Sequence, residues 1–275
     1  MDNCILVKRD GACGDVLLAT SILPALKKHH PDASIFFETK CSSVLVGNPH
    51  VDYIVSRPPA YDYKIVVDLN MAYENRPNTH ILTCFAEAAN VPLGWCSPYV
   101  TKIAVNKPLM KNYVVIHAGN TNWAGRNWGE EQWKDIALKF HNKGYQIICV
   151  GKRPDRFVPC DVDCRDITSV GELATIIKDA KLFVGIDSLP FHIAQIVGTP
   201  CVTFFGSINP NLRIFSPLVK PVMAKELTCL GCHHRQPVPS FTLGSCPLGT
   251  YSCEKNVSVE QMWEAIKEQI LTFNT

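Results

Sequence analysis

The sequence carries almost no net charge: 27 Lys and Arg stand against 25 Asp and Glu, a formal +2. A balance of that kind supplies no field to draw the chain to nucleic acid or to an anionic membrane, so any charge logic must be local. Long apolar runs are also missing. The first nine residues hold an apolar stretch of only four, Cys4 to Val7, too short for a signal-peptide core or a spanning helix, and a cytoplasmic location is expected. With 47% hydrophobic and 19% charged residues, the composition leaves no room for a long disordered arm. Neither G-x-G-x-x-G nor G-x-x-x-x-G-K-[ST] occurs, which argues against a dinucleotide site or a P-loop triphosphate site.

Cysteine, by contrast, is plentiful. Thirteen in a chain of 275 residues, an odd number without a secretion signal, read as reduced thiols and not as a disulfide scaffold. Cys4, Cys149 and Cys201 sit in apolar strand-like runs, where a free cysteine behaves as a small buried hydrophobe. The cluster after Leu227 is different and is taken up below.

The length suits two compact domains of ~100–150 residues each. Short β-rich runs alternate with amphipathic stretches in the first half: Ile5 to Val7, Val16 to His29, Ser34 to Glu38, Tyr53 to Val55 and Lys64 to Asp68. Val16, Ala19, Leu23 and Leu26 recur at helical spacing, with Asp15 offered as N-cap and Pro24 expected to bend the helix. A second helical stretch runs from His80 to Asn90. The segment Val91 to Lys111, with prolines at 92, 98 and 108, reads as the inter-domain connection.

A second βαβ series then opens with strand Tyr113 to His117 and a helix near Glu130 to His141. Strand Gln146 to Val150, helix Gly171 to Ala180, strand Leu182 to Gly185, helix Pro190 to Val197 and strand Pro200 to Phe205 follow. Val259, Met262, Ile266 and Ile270 mark a closing amphipathic helix. This order predicts an α/β chain of two Rossmann-like domains with parallel sheets. Domain one is residues 1–107, domain two 108–256, and the closing helix 257–275, expected to pack back on the first domain. Ligands of such sheets sit beyond the carboxyl ends of the strands, so chemistry is sought there.

Three loops qualify. Lys8 to Asp15 joins the first strand to the first helix and brings Gly14 and Asp15 to the helix mouth. Asp15 is either a simple N-cap or a general base able to deprotonate a hydroxyl. Ala118 to Trp128 follows the strand at 113–117, and within this small-residue loop Arg126 is either a surface cation or a diphosphate ligand, for which a guanidinium fork is well suited. Trp128 and Trp133 read as helix anchors. The densest signal is Asp187-Ser188-Leu189-Pro190-Phe191-His192, where a buried strand gives way to a helix whose free amides attract phosphate and whose Ser188 hydroxyl adds a donor. Capping explains Asp187 and Ser188 equally well at this stage, and His192 reads as a core histidine. Phe205-Gly206-Ser207 ends the next strand and should lie beside this turn.

Together these segments resemble glycosyltransferase family 9, the ADP-heptose:lipopolysaccharide heptosyltransferase-like group with a GT-B fold. The resemblance rests on Gly14 to Thr20, Gly47 to Asp52, Arg126-Asn127-Trp128, Asp187 to Ala194, Gly198-Thr199-Pro200 and Phe205-Gly206, in that order along nearly the whole chain. It implies two Rossmann-like domains facing across a cleft and an inverting, metal-independent transfer of a heptose-like sugar from a nucleoside diphosphate, ADP-heptose by the family's habit. The acceptor would be a glycan, lipid-linked or protein hydroxyl, and a lipid-linked acceptor would bring peripheral contact with the inner membrane. By the same resemblance Asp15 is the catalytic base, and Gly14, Arg126, Asp187, Ser188, Leu189, Pro190 and His192 form the donor and phosphate site. Arg126 stands where the family usually has lysine, and Leu189 where it normally has glycine. After Val150 the family often places an acid for the nucleotide ribose, yet here the first acid is Asp155.

Cys229-x-x-Cys232 with Cys246 and Cys253 has metal-ligand spacing at its first pair. Four thiolates, with His233 and His234 as further candidates, would close a structural zinc or iron site, as some relatives are thought to do. The same thiols also read as unlinked. Other classes fit the residues too: a non-catalytic nucleotide-sugar or glycan-binding module, a metal-stabilised interaction module, or a nucleotide-sugar epimerase on the same fold.

Overall fold

In the computed structural model, which describes residues 3–105, 110–234 and 244–273, the chain divides into two compact units, Met1–Thr101 and Lys102–Thr275. The boundary expected at 107/108 lies outside the described residues.

The first unit runs β1 (Cys4–Lys8), α1 (Cys13–Ala19), α2 (Leu23–His29), β2 (Ser34–Glu38), β3 (Tyr53–Val55), β4 (Ile65–Asp68) and α3 (Ile81–Ala88). Its four strands are all parallel, in the order β3-β2-β1-β4. β1 is buried along nearly its full length because it is central in that order. Pro24 acts as expected: a 3-10 turn at Thr20–Ile22 separates α1 from α2, and the proline falls in the first turn of α2, where its missing N–H costs nothing. Within Gly47 to Asp52, the Asp52 carboxylate takes hydrogen bonds from Lys27 Nζ (2.8 Å) and the Ile35 amide (2.7 Å), tying the start of β2 to the loop before β3.

Two expectations need correction here. Asp15 is not the N-cap: that position is Ala12, and the Asp15 amide donates to the Ala12 carbonyl at 2.9 Å. The chain turns early at Gly11, whose φ of +113° suits glycine, so the helix has already begun at Cys13. Nor are all the thiols reduced. Cys13 and Cys41 are joined, with Cα atoms 5.4 Å apart, because pairing of β1 with β2 brings the loops that follow them side by side. Among the described residues the other eleven cysteines form no disulfide.

The second unit continues with β5 (Tyr113–His117), α4 (Glu130–His141), β6 (Gln146–Cys149), β7 (Val162–Asp163), α5 (Val170–Lys178), β8 (Leu182–Ile186), α6 (Leu189–Val197), β9 (Cys201–Phe204), β10 (Val219–Val222), α7 (Ser252–Lys255) and α8 (Val259–Phe273). Six parallel strands run in the order β10-β9-β8-β5-β6-β7. Ser169 and Glu172 close a capping box at the start of α5. Trp128 and Trp133 are fully buried and meet edge to face at 4.9 Å, with Trp128 Nε1 donating to the Val257 carbonyl at 2.9 Å.

The closing helix packs on the sheet of the second unit itself. Met262, Trp263, Ala265 and Ile266 of α8 complete the core of the second sheet with Val202, Phe204 and Val222, and Trp263 packs edge-on against Phe140 of α4 at 5.1 Å. The apolar stripe is where periodicity put it. Periodicity does not say which sheet the stripe covers. Among the described residues, no helix is long and apolar enough to cross a membrane.

Candidate active site

β5 is flanked by β6 on one side and β8 on the other, so the chain leaves it in opposite directions and a crevice opens at the carboxyl ends of β5 and β8. That is a topological switch point, where ligands of open parallel sheets bind. The loop after β5 carries Arg126, and the turn after β8 carries Asp187 and Ser188. The two meet: Arg126 Nη2 donates to the Asp187 carbonyl and lies 3.4 Å from Asp187 Oδ2. His192, one turn into α6, is buried as read from the sequence, and its Nε2 lies 3.5 Å from Asp187 Oδ1. Leu189 is the half-buried first residue of α6, and Pro190 follows it in the first turn. At this mouth the Leu189 and Phe191 amides belong to the first turn, which has no carbonyl partners within the helix, Pro190 has no amide to offer, and the His192 amide already bonds to the Ser188 carbonyl.

Capping does not account for Ser188. It occupies the N-cap position, but its hydroxyl makes no cap bond. Instead Oγ lies 2.9 Å from Nδ1 of His117, the last residue of β5, whose Nε2 lies 3.2 Å from Asp155 Oδ2. Asp155 also accepts from the Lys152 amide at 2.7 Å. Burial raises its pKa, but His117, the Lys152 amide and Arg165 outweigh that and hold the carboxyl below its usual range. Asp155, the first acid after β6, is therefore committed to His117. Gly151 makes this packing possible, since a Cβ there would meet Asp155 Oδ2 at 2.3 Å and His117 Cδ2 at 2.8 Å.

The Arg126 loop is held from several directions. Glu254 Oε1, from α7, accepts from the amides of Gly125 (2.7 Å) and Asn127 (3.3 Å), one on each side of Arg126. Ser207 donates through its amide to the Gly125 carbonyl (2.9 Å) and through Oγ to the Ala124 carbonyl (2.7 Å), which places Phe205-Gly206-Ser207 beside the first turn as expected. The Arg126 guanidinium carbon stands 5.6 Å from the Trp123 ring centre.

In the first unit the switch point falls between β1 and β4, and Gly14 and Asp15 stand there in the first turn of α1. Asp15 Oδ2 lies 3.2 Å from Arg9 Nη2, with the Asp15 side chain one-fifth exposed and Arg9 buried. Arg9 is fixed independently by the Leu69 carbonyl (2.9 Å) and by Glu74 (2.7 Å). Burial opposes its charge, but Glu74 and Asp15 more than offset this and raise its pKa above the ordinary arginine value. Asp15 thus presents one oxygen to a rigid cation.

The cysteine tail packs against the underside of the Arg126 loop. A Cβ on Gly206 would meet the Gly125 carbonyl at 2.5 Å and Cys253 Sγ at 3.1 Å. Cys253 is buried, while Cys229, Cys232 and Cys246 are half-buried. Burial, then Glu254 and the sulfurs of Cys232, Cys229 and Cys246, push the Cys253 thiol up to about 11. Burial likewise opposes ionisation of Cys246, but the amides of Tyr251, Leu248, Thr250 and Gly249 overcome it and draw its pKa below the ordinary thiol value. The four sulfurs feel one another, yet among the described residues no three His, Cys, Asp or Glu side chains are gathered tightly enough to hold a metal ion. The side chain of His234 lies outside the described residues.

The model of glycosyltransferase family 9 (heptosyltransferase) matches residues 87–245, more than half of the chain. The chain belongs to glycosyltransferase family 9. Lipopolysaccharide heptosyltransferase 3 of Escherichia coli is 28% identical over 115 residues, covering 36% of this chain and 32% of that protein. The chain therefore aligns with about a third of that curated relative's length.

Two solved structures extend the family 9 likeness to the whole fold. TibC of enterotoxigenic E. coli H10407, described as a dodecameric iron-containing heptosyltransferase and solved with ADP-D-beta-D-heptose, superposes with a TM-score of 0.83 at 13% identity, covering 99% of this chain and 77% of that one. E. coli ADP-heptose lps heptosyltransferase II gives 0.64 at 12% identity, with all of both chains covered. The chain thus has the GT-B fold, built from the two parallel-sheet units described above.

Three residues at this crevice were not marked by sequence reasoning: His117, Asp155 as its partner, and Glu254. A signal existed for the first. In Tyr-Val-Val-Ile-His a polar residue closes an otherwise apolar strand at the sheet edge where ligands bind. Glu254 reaches its partners across more than 120 residues, and no local pattern marks it.

Proposed function

We propose that this glycosyltransferase moves a heptose from ADP-heptose to a hydroxyl of a glycan, lipid-linked or protein acceptor with inversion. The reading is carried by the convergence of Arg126, Asp187 and Ser188 with the mouth of α6 at the switch point of the second sheet. Asp15 takes the acceptor proton as the acceptor oxygen bonds to the anomeric carbon. The bond from that carbon to the diphosphate oxygen breaks, and the nucleoside diphosphate departs with the electron pair. A single displacement inverts the anomeric centre. Arg126, the Ser188 hydroxyl and the Leu189 and Phe191 amides oppose the charge that gathers on the leaving diphosphate, commonly the largest electrostatic contribution to such a transfer. Leu189 fills space that glycine would leave open beside the phosphates. His192 keeps Asp187 facing Arg126.

The test is a screen of ADP-, UDP-, GDP- and CMP-sugars by thermal shift, with release of nucleotide measured in parallel. ADP-heptose is expected to give both the largest shift and the fastest release. A larger response to another nucleotide would replace the donor assigned here.

The tail cysteines Cys229, Cys232, Cys246 and Cys253 are proposed to hold a structural zinc or iron ion. Four thiols are the donor set such metals prefer, and Cys246 is already drawn toward the thiolate that a ligand must be. The sulfurs would have to close in on a common centre. A bound cation would neutralise them and fix the tail from which Glu254 supports the Arg126 loop. Protein purified with exclusion of oxygen is expected to carry about one metal ion per chain. Its removal should speed hydrogen exchange at the Gly125 and Asn127 amides. Protein that takes up neither metal when both are supplied rules the site out.

A further inference from the structure

The chain Ser188 Oγ, His117 and Asp155 fixes where protons sit before a ligand arrives. Asp155 Oδ2 already accepts from the Lys152 amide, and its carboxyl is held ionised, so the His117 nitrogen facing it, Nε2 at 3.2 Å, must carry a proton. In a neutral imidazole that leaves Nδ1 as an acceptor. The group it faces at 2.9 Å is the Ser188 hydroxyl, whose one proton is thereby committed to His117. Among the described residues the other acceptor near Ser188 Oγ is the Ile186 carbonyl, at a long 3.4 Å.

A phosphate at the mouth of α6 needs that same proton, because phosphate oxygens only accept. If Ser188 turns its hydroxyl to the phosphate, two lone pairs are left confronting each other at 2.9 Å in a half-buried site, Oγ against Nδ1. Moving the imidazole proton from Nε2 to Nδ1 does not cure this, since it sets a bare Nε2 against the Asp155 carboxylate. Taking a second proton from solvent does: Nδ1–H donates to Oγ, Oγ–H donates to the phosphate, and Nε2–H stays on Asp155.

We infer that His117 is a positioning residue whose imidazole takes up a proton from solvent when a diphosphate binds, turning Ser188 from a donor to histidine into a donor to the ligand. The inference rests on the donor site proposed above. The charged groups around His117 are consistent with this uptake. Asp155 is in direct contact, with Arg165 behind it bonding to the Asp155 carbonyl at 2.9 Å. Arg156 bonds to the Gly119 carbonyl. On the β8 side, Asp187 stands between Arg126 and His192, so the Arg126 cation is opposed by a carboxylate. The imidazolium then adds a positive charge one hydroxyl away from the leaving group.

The experiment uses the full chain, ADP as probe, and two readouts. Calorimetric titration near pH 7.5 in buffers of different ionisation enthalpy gives the protons taken up per ADP, and the wild type is expected to exceed His117→Gln by about one. In protein labelled with 15N histidine, the Nδ1 resonance of His117 should move from its unprotonated to its protonated position when ADP is added. This second readout needs no folded variant, and Asp155→Asn, which removes the carboxylate charge facing Nε2–H, should weaken the response. ADP binding with Nδ1 unchanged, or with equal proton uptake in His117→Gln, overturns the inference and leaves the donor site standing. Failure of ADP and of inorganic pyrophosphate to bind overturns both.

Discussion

Asp15→Asn is expected to cut transfer by about 10²–10⁴-fold, the ordinary contribution of a general base, while ADP affinity stays within about twofold. The substitution keeps the shape of the side chain and its place in the first turn of α1, where the helix needs no cap bond from it. Arg9 loses one ion-pair partner but keeps the Leu69 carbonyl and Glu74, so the buried guanidinium is not stranded and the loop holds. What is lost is the ability of the free oxygen to accept a proton. The signature is therefore a fall in kcat with little change in ADP binding or Tm, measured with saturating donor and acceptor. Turnover equal to that of the parent removes Asp15 from the mechanism. A fall in Tm large enough to account for the loss would instead assign the residue to the β1–α1 loop.

The sequence foretold the scaffold more fully than the site. Strands 34–38, 53–55 and 113–117 and helix 130–141 have the expected bounds, because in each an unbroken apolar pattern ends at a polar or turn residue. β10 escaped notice: Pro221 lies within it, and a proline is admissible there only because β10 is an edge strand, a fact about neighbours and not about the segment itself. β7 has two residues, too few for any period. The same division runs through the site. Arg126, Asp187 and Ser188 were visible because each follows a strand, where parallel sheets bind ligands. What each does with its hydrogen bonds was not visible. Ser188 looks like a cap until His117 is found beside it, and nothing in the sequence pairs Asp155 with that histidine. Nor does composition foresee the Cys13–Cys41 bond, which depends on β1 and β2 lying side by side.

Arg126→Ala is expected to lower kcat/KM for the donor by about 10²–10³-fold, the range seen when one preorganised donor to a developing oxyanion is removed, or about 2.7–4 kcal/mol. The loop should survive, because its supports are main-chain bonds at Ala124, Gly125 and Asn127 to Ser207 and Glu254 rather than the Arg126 side chain itself. Arg126→Lys separates charge from geometry. The guanidinium has five donors, so it can keep Asp187 through Nη2 and still offer a planar edge to a diphosphate. A lysine ammonium is a single point that must divide itself between the Asp187 carboxylate and the phosphate. It should recover only part of the loss, although lysine is the family's usual residue at this position, because the partners around position 126 in this chain are arranged for a fork. Donor kcat/KM and ADP Kd across the parent, Arg126→Lys and Arg126→Ala series decide the matter. An alanine variant indistinguishable from the parent excludes a phosphate role. A lysine variant equal to the parent shows that charge alone suffices and that the Asp187 contact serves only to park the side chain.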